Sequence, residues 1–401
     1  MSKVRDKGLD IKFPHEVNLK EYKIENLNEH PAIDNLEQIS EQDKEIMIHA
    51  GIDTGDEKGG TFLMKDQSVI HTRVKQPGIE LLSIHDAKEK YPEFFQKYYW
   101  KLIAPDTDKY TKFVHDNIES GYFIYIKKGV KGFFPIQSCL FLEHPGIVQN
   151  VHNLIVLEEN SSLEIITGCT SKDLLSEGGA HLGITEIYVG KGAQLTYSMI
   201  HNWHEIVRVR PRTSIYVEEG GTFVSNYVLL KKVKDVQMNP IAYLAGRGAK
   251  VRFNSIIVSY EDSYLDIGAR VVLDAPETST EIISRVVNRG GKVIARGLIS
   301  GNVPGVRGHL ECQGLILNEG GEIYTIPQLN GLSPDIMLSH EAAVGKIARE
   351  EVEYLMARGI EEDDAVGLII RGFLYEGLEN FPSVLKLEID RVIEETKRKG
   401  Y

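Results

Sequence analysis

The chain has 401 residues, 42% of them hydrophobic and 26% charged, the proportions of an ordinary globular protein with more than one structural region. A net charge of −12 excludes non-specific nucleic-acid binding, which needs a basic field to displace counterions. No apolar run approaches the roughly 18–20 residues of a membrane span, and MSKVRDKGLDIKF is charged from its start, so a cytoplasmic protein without membrane contact is expected.

Residues 1–120 read as a mixed, mostly helical region. LEQISEQDKEIMIHAGID sets Ile39, Ile46 and Met47 near helical spacing, with Gly51 as a stop. A second helix is expected over Asp86–Tyr99, where the aromatic stripe of YPEFFQKYYW reads as packing. From Gly121 the pattern turns to period-two strands, with Gly129 and Gly132 in a turn, and it continues to about Gln328.

Within that stretch Gly192, Gly220 and Gly248 recur every 28 residues, in IYVGKGAQLTYS, IYVEEGGTFVSN and AYLAGRGAKVRF. Weaker copies are read at 286–297 and 315–326, and an irregular one at 155–166. A fixed period of this size marks a repeat architecture in which each unit buries its apolar face against its neighbours. The expected fold is mainly β: a parallel β-helix, or β-solenoid, over 121–333, flanked by the N-terminal mixed region and a C-terminal helical domain over 334–401. In that last part AVGKIAREEVEYLMARG carries Val344, Ile347, Val352, Leu355 and Met356 before Gly359, EEDDAVGLIIRGFLYEGL opens on an acidic turn, and PSVLKLEIDRVIEETKRKG ends on basic residues. These helices are expected to cap the open edge of the solenoid or to offer a docking surface. Arg208, Arg210 and Arg212 alternate onto one strand face, which reads as solvated.

No P-loop, GxSxG or HExxH pattern occurs, so this chain is not expected to bind nucleotide or act as a self-contained hydrolase. Its three cysteines, Cys139, Cys169 and Cys312, form no CxxC pair and cannot build a four-cysteine cluster or zinc site in one chain. Two local features stand out. GHLECQGLIL puts Cys312 on a late strand, where a lone cysteine is usually a small buried hydrophobe. DIMLSHEAAVGKI sets His340 beside Glu341, where Ser339 would cap a helix and both residues would be solvated in its first turn. Cys139 and Cys169 read as core, and His201, His204 and His309 as surface histidines.

SGYFIYIKKGVKGFFPIQ, ITGCT, AHLGITEIYVGKGAQLTYSMIHNW, LECQGLIL, LSHEAAVGKI and YLMARGIEEDDAVGLIIRGF together resemble the SufB/SufD family, scaffold proteins of SUF-type iron–sulfur cluster assembly. The resemblance runs from about Gly121 to the C-terminus and is loose before it. It implies a right-handed parallel β-helix between helical regions, pairing through β-helix ends, and a SufC-type ABC ATPase bound at the C-terminal helices. It also implies a non-catalytic scaffold that carries a nascent iron–sulfur cluster for recipient apoproteins.

By the same resemblance Cys312 falls at a cluster or sulfur ligand of SufB, Glu341 at the SufB glutamate beside it, and His340 at the histidine that SufD contributes. One chain thus carries elements that the family divides between two subunits, which points to a homodimer. Thiolate is a soft ligand for iron, while imidazole and carboxylate are harder and more exchangeable, so a mixed set suits a donor better than a store. Cys169 is a weaker candidate ligand. The family's persulfide-accepting cysteine is replaced near Val217, so sulfur is expected as free sulfide or directly at Cys312. The resemblance also brings reduced flavin as an electron donor, for which no segment marks a site. The rival readings are a structural adaptor of the ATPase and a β-helix carbohydrate-active enzyme, though no stacked set of paired acids is found for the latter.

Overall fold

A computed structural model describes residues 15–375, apart from 26–28, 56, 118–119, 173–176 and 319, together with 386–387 and 389–391. From Tyr122 the chain alternates between two sheets, giving each coil one strand, or a broken pair of strands, in each sheet. The first sheet takes Ile136–Leu142, Ser162–Ser171, Gln194–Asn202, Thr222–Leu229, Lys250–Ser259, Ser279–Asn288, Val306–Ile316 and Ile336–Lys346, each parallel to the next. The second sheet interleaves with it and ends at Glu322–Gly331. This is the expected β-solenoid, of about eight turns.

The glycine period marks one edge of the solenoid. Gly192, Gly220 and Gly248 hold φ of 63°, 64° and 70° where the chain passes from the second sheet to the first. The same edge continues with Glu277, Gly305 and Asp335 and begins with Gly129 and Asn160, all at positive φ. The copies read at 286–297 and 315–326 belong to the opposite edge, where Asp262, Gly291 and Gly320 take positive φ. Similar turns on two edges had merged into one series, because a coil closes with two tight corners.

Strand alternation sends one set of side chains inward to a continuous apolar interior that includes Leu140, Leu229, Ile257 and Val286. The outward set is covered by helices. Helix Glu41–His49, capped by Ser40 and stopped at Gly51 (φ 77°), packs Met47 on Leu63, Cys139 and Phe141. Helix Glu362–Tyr375 lays Ile370 and Leu374 over Ile166, Ile200, Val228 and Ile256.

Several expectations need correcting. The helix expected over Asp86–Tyr99 is two, Ile84–Lys90 and Pro92–Tyr98, because Pro92 cannot continue a helix and forces Tyr91 out of helical geometry (ψ 54°). Its aromatic residues do pack, against Phe123, Tyr125 and Tyr188. The region before Gly121 is not mainly helical: Gly60–Lys65, Ser68–Val74 and Ile79–Ser83 are strands that extend both sheets. The sheets also pass the boundary expected at 334. Ile336–Lys346 is a strand paired along its full length with Val306–Ile316, so Ser339 caps no helix and the helix starts at Arg349. The helix read over 382–400 lies mostly outside the described residues.

The arginine row is not a solvated face. Arg210 is 1% exposed and donates from Nη2 to Asp235 Oδ2 at 2.7 Å and to the His15 carbonyl at 2.9 Å. Arg212 pairs with Asp108 at 2.6 Å. Arg208 reaches Asp235 at 3.5 Å, so all three guanidinium groups are paired, though only Arg210 is fully buried. Nearby, the buried Glu186 carboxylate accepts the backbone N–H groups of Trp100, Lys101, Leu102 and Ile103 at 2.6–3.1 Å and faces His152 Nε2 at 3.0 Å.

Candidate functional site at the open end

At its C-terminal end the solenoid stops with both sheets unfinished among the described residues. Glu322–Gly331 pairs with one neighbour, and Ile336–Lys346 pairs only with Val306–Ile316. Two adjacent edges with unpaired backbone groups form a template for another chain. Tyr324, Leu332, Met337 and Val344 are exposed here, so this end is apolar as well as unpaired.

Cys312 lies one strand in from that edge, between Ser284 and Ala342. It shares the inward parity of Val306 and Leu310 and is 4% exposed. Burial, with the neighbouring Glu311 charge, pushes its thiol up to about 11, so a metal ion must displace a proton to reach the sulfur. His340 pairs with Leu310 and therefore shares the interior face, two residues before the direct partner of Cys312. Cross-strand diagonals of this kind lie about 7–8 Å apart. Unlike Cys312, His340 is exposed, since no further coil covers it.

Glu341 goes the other way. It pairs with Glu311 on the outer face, where Arg285 reaches Glu311 at 3.0 Å and also contacts Gln313. The Arg285 guanidinium lies 5.6 Å from the ring centroid of Phe373, linking this face to helix Glu362–Tyr375. The structure thus brings Cys312 and His340 to one face and leaves Glu341 behind the sheet. Among the described residues one chain does not converge the three as ligands. The placement in a helical turn hid this, because only on a strand do neighbours go to opposite faces of a sheet. Arg285 was missed altogether, for want of any sequence signal beyond a charge in an apolar strand.

The other candidates fall elsewhere. Cys169 is interior and its strand is five strand spacings from that of Cys312, about 24 Å at about 4.8 Å each, so the two cannot share a cluster. Burial holds its thiol far above the ordinary range. Cys139 is buried on the outer face beneath helix Glu41–His49. His201 is no surface residue: it is buried beside Cys169, and its Nδ1 shares a hydrogen bond of 3.0 Å with the Tyr227 hydroxyl. His204 is half-buried, its backbone N–H held by Ser171 Oγ, and His309 contacts Ser339 Oγ at 2.9 Å on the outer face. Val217 is fully buried in the interior.

The fold is thus a β-solenoid that sets a thiol and an imidazole on one face beside an unfinished sheet edge. Two family models match the chain: the SUF system FeS cluster assembly SufBD core domain over residues 141–373, and the SufBD protein N-terminal region over 60–138. The chain is 44% identical to an iron–sulfur cluster assembly SufBD family protein of Archaeoglobus fulgidus, over 89% of this chain and 95% of that protein. It is 39% identical to another from Methanothermobacter thermautotrophicus strain Delta H, over 95% and 94%. It is 28% identical to the iron–sulfur cluster assembly protein SufB of Bacillus subtilis, over 89% and 78%. The chain belongs to the SufBD family of iron–sulfur cluster assembly proteins. No described helix is long and apolar enough to cross a membrane.

Proposed function

We propose that this chain is a non-catalytic scaffold on which a nascent iron–sulfur cluster is built and from which it passes to recipient apoproteins. The observation that carries this reading is the placement of Cys312 and His340 on one face beside an unfinished, apolar sheet edge. The scaffold works as a homodimer joined through that end, and a second copy supplies a second thiol and imidazole. Because Glu341 lies behind the sheet in one chain, it becomes a ligand only if the terminal strand is rearranged. A SufC-like ABC ATPase docks on the C-terminal helices, where Tyr354, Met356 and Leu368 are exposed, and hydrolyses the ATP. Its closure strains helix Glu362–Tyr375, which Arg285 couples to the strand beside Cys312. Sulfur enters as free sulfide, already at the oxidation level it holds in the cluster, since Val217 offers no nucleophile to accept sulfane sulfur. No flavin enters this reading.

Anaerobic co-purification with the ATPase, followed by iron and sulfide analysis, tests it. Cys312→Ser is expected to lose at least about 90% of the bound iron and sulfide, the loss of about tenfold in binding that even an outer-shell partner costs. His340→Ala is expected to lose a smaller share. Undiminished iron and sulfide in Cys312→Ser would remove the proposed ligand, and an ATPase complex that never carries iron would leave an adaptor. The pairing surface is tested separately with Met337→Lys and Val344→Lys together, since charges on an exposed edge block strand addition. Sedimentation velocity should show a monomer for the double variant; an unchanged dimer would place the interface elsewhere.

A further inference from the structure

Four donor side chains converge at the other end of the molecule, where the N-terminal segment crosses the first coil. Glu25 and His30 come from that segment, Asp66 from the turn after Gly60–Lys65, and His144 from the corner after Ile136–Leu142. One ligand atom of each lies within 4.8 Å of all the others. Asp66 Oδ2 is 2.8 Å from both His30 Nε2 and His144 Nδ1. Glu25 Oε1 is 3.2 Å from His144 Nδ1, and Glu25 Oε2 is 3.8 Å from His30 Nε2. The two imidazole rings stack with centroids 5.3 Å apart.

This cluster is held by structure that a chance meeting of surface charges lacks. Asp66 is fully buried, and its Oδ1 accepts the backbone N–H groups of Glu143 at 2.6 Å and His144 at 3.3 Å. Those bonds turn Oδ2 toward both imidazoles, as outer-shell contacts orient metal ligands. Asp66 also holds φ of 51°, a strained backbone for a side chain other than glycine, and such strain gathers at functional positions. Glu25 Oε2 is buried and has no hydrogen-bond partner among the described residues. The adjacent Glu143 is occupied by Lys65 at 2.7 Å and by Lys172, so it does not add an unbalanced charge. Two carboxylate oxygens and two imidazole nitrogens thus face one another, a donor set that a divalent transition ion accepts.

We propose that Glu25, His30, Asp66 and His144 form a binding site for one divalent first-row transition ion, zinc by preference. Two imidazole nitrogens and two carboxylate oxygens suit four-coordinate Zn(II), while Mg(II) and Ca(II) favour oxygen alone. The ion clips the N-terminal segment to the first coil, joining residues 119 positions apart in sequence, Glu25 to His144. This site is independent of the assembly role and of Cys312.

Full-length chain stripped of metal by chelation and reduced is titrated with Co(II). The expected result is one Co(II) per chain with the strong visible bands of four-coordinate nitrogen–oxygen ligation and no thiolate charge-transfer band. His144→Ala, whose side chain is half exposed and whose fold circular dichroism can verify, should weaken binding by at least about 100-fold. Cys312→Ser should leave the titration unchanged, which separates this site from the cluster site. Wild-type chain that takes up no Co(II) with these bands overturns the proposal. So does His144→Ala that binds as tightly as wild type, or a signal lost in Cys312→Ser.

Discussion

Glu186→Ala is expected to lower the unfolding free energy by about 3–5 kcal/mol, the range for removing one partner of a buried charged network. Its carboxylate takes four consecutive backbone N–H groups, Trp100 through Ile103, and a fifth contact from His152. Alanine would leave those donors buried and unpaired, each at a cost of about 1–3 kcal/mol before relaxation or water entry. The loop is also strained, since Trp100 holds φ of 55°, and the carboxylate is what compensates for that conformation. Glu186→Gln should fall between, because one of its two acceptor oxygens becomes a donor facing donors. Urea denaturation curves measure both, and an alanine variant with the wild-type midpoint would show that the loop is held by other contacts.

Acidification is expected to destabilise the fold steeply from about pH 6.5 downward. Burial depresses His181 to about 3, and burial with the His181 charge depresses His201 to about 3. Both imidazoles stay neutral inside the solenoid while the unfolded chain protonates them near pH 6.5. Between those values the unfolded state binds more protons, so stability falls as pH falls, by about 1.4 kcal/mol per pH unit for each histidine. The slope is half of that at pH 6.5 and grows below it, so the pair should cost about 3 kcal/mol between pH 6.5 and pH 5. His152, depressed chiefly by burial, acts in the same direction. Denaturation midpoints across that range provide the measurement, and His181→Gln should flatten the slope. A profile level from pH 7 to 5 would mean that these histidines become hydrated before the chain unfolds.

The two ends of the solenoid follow one logic. Each is a place where the repeat cannot cover its own edge. At the start, the strands at 60–83 extend both sheets, and Glu25 and His30 meet Asp66 and His144. At the finish no described residue covers the edge; the thiol lies one strand in from the opening and the imidazole on the edge strand itself. The C-terminal edge exposes Tyr324, Leu332, Met337 and Val344, and the pairing proposed above would use it.

Much of this architecture was legible along the chain. The 28-residue spacing of Gly192, Gly220 and Gly248 required a coil that returns to the same corner, and Gly51 marked the end of a helix, because turns and helix stops are local and use particular residue types. The motifs around Cys312 and His340 pointed to the family. Three-dimensional pairing decided the rest. His340 and Glu341 are neighbours in sequence, yet the register with Leu310 and Glu311 sends one to the interior and the other behind the sheet. Small residues such as Ala342 and Ala343 suit a helix or a strand, and only the full-length ladder with Val306–Ile316 selected the strand. Glu25, His30, Asp66 and His144 carry no common spacing, so no pattern could have joined them. Local geometry is written in residue types, whereas which distant side chains meet, and on which face, depends on the register between coils.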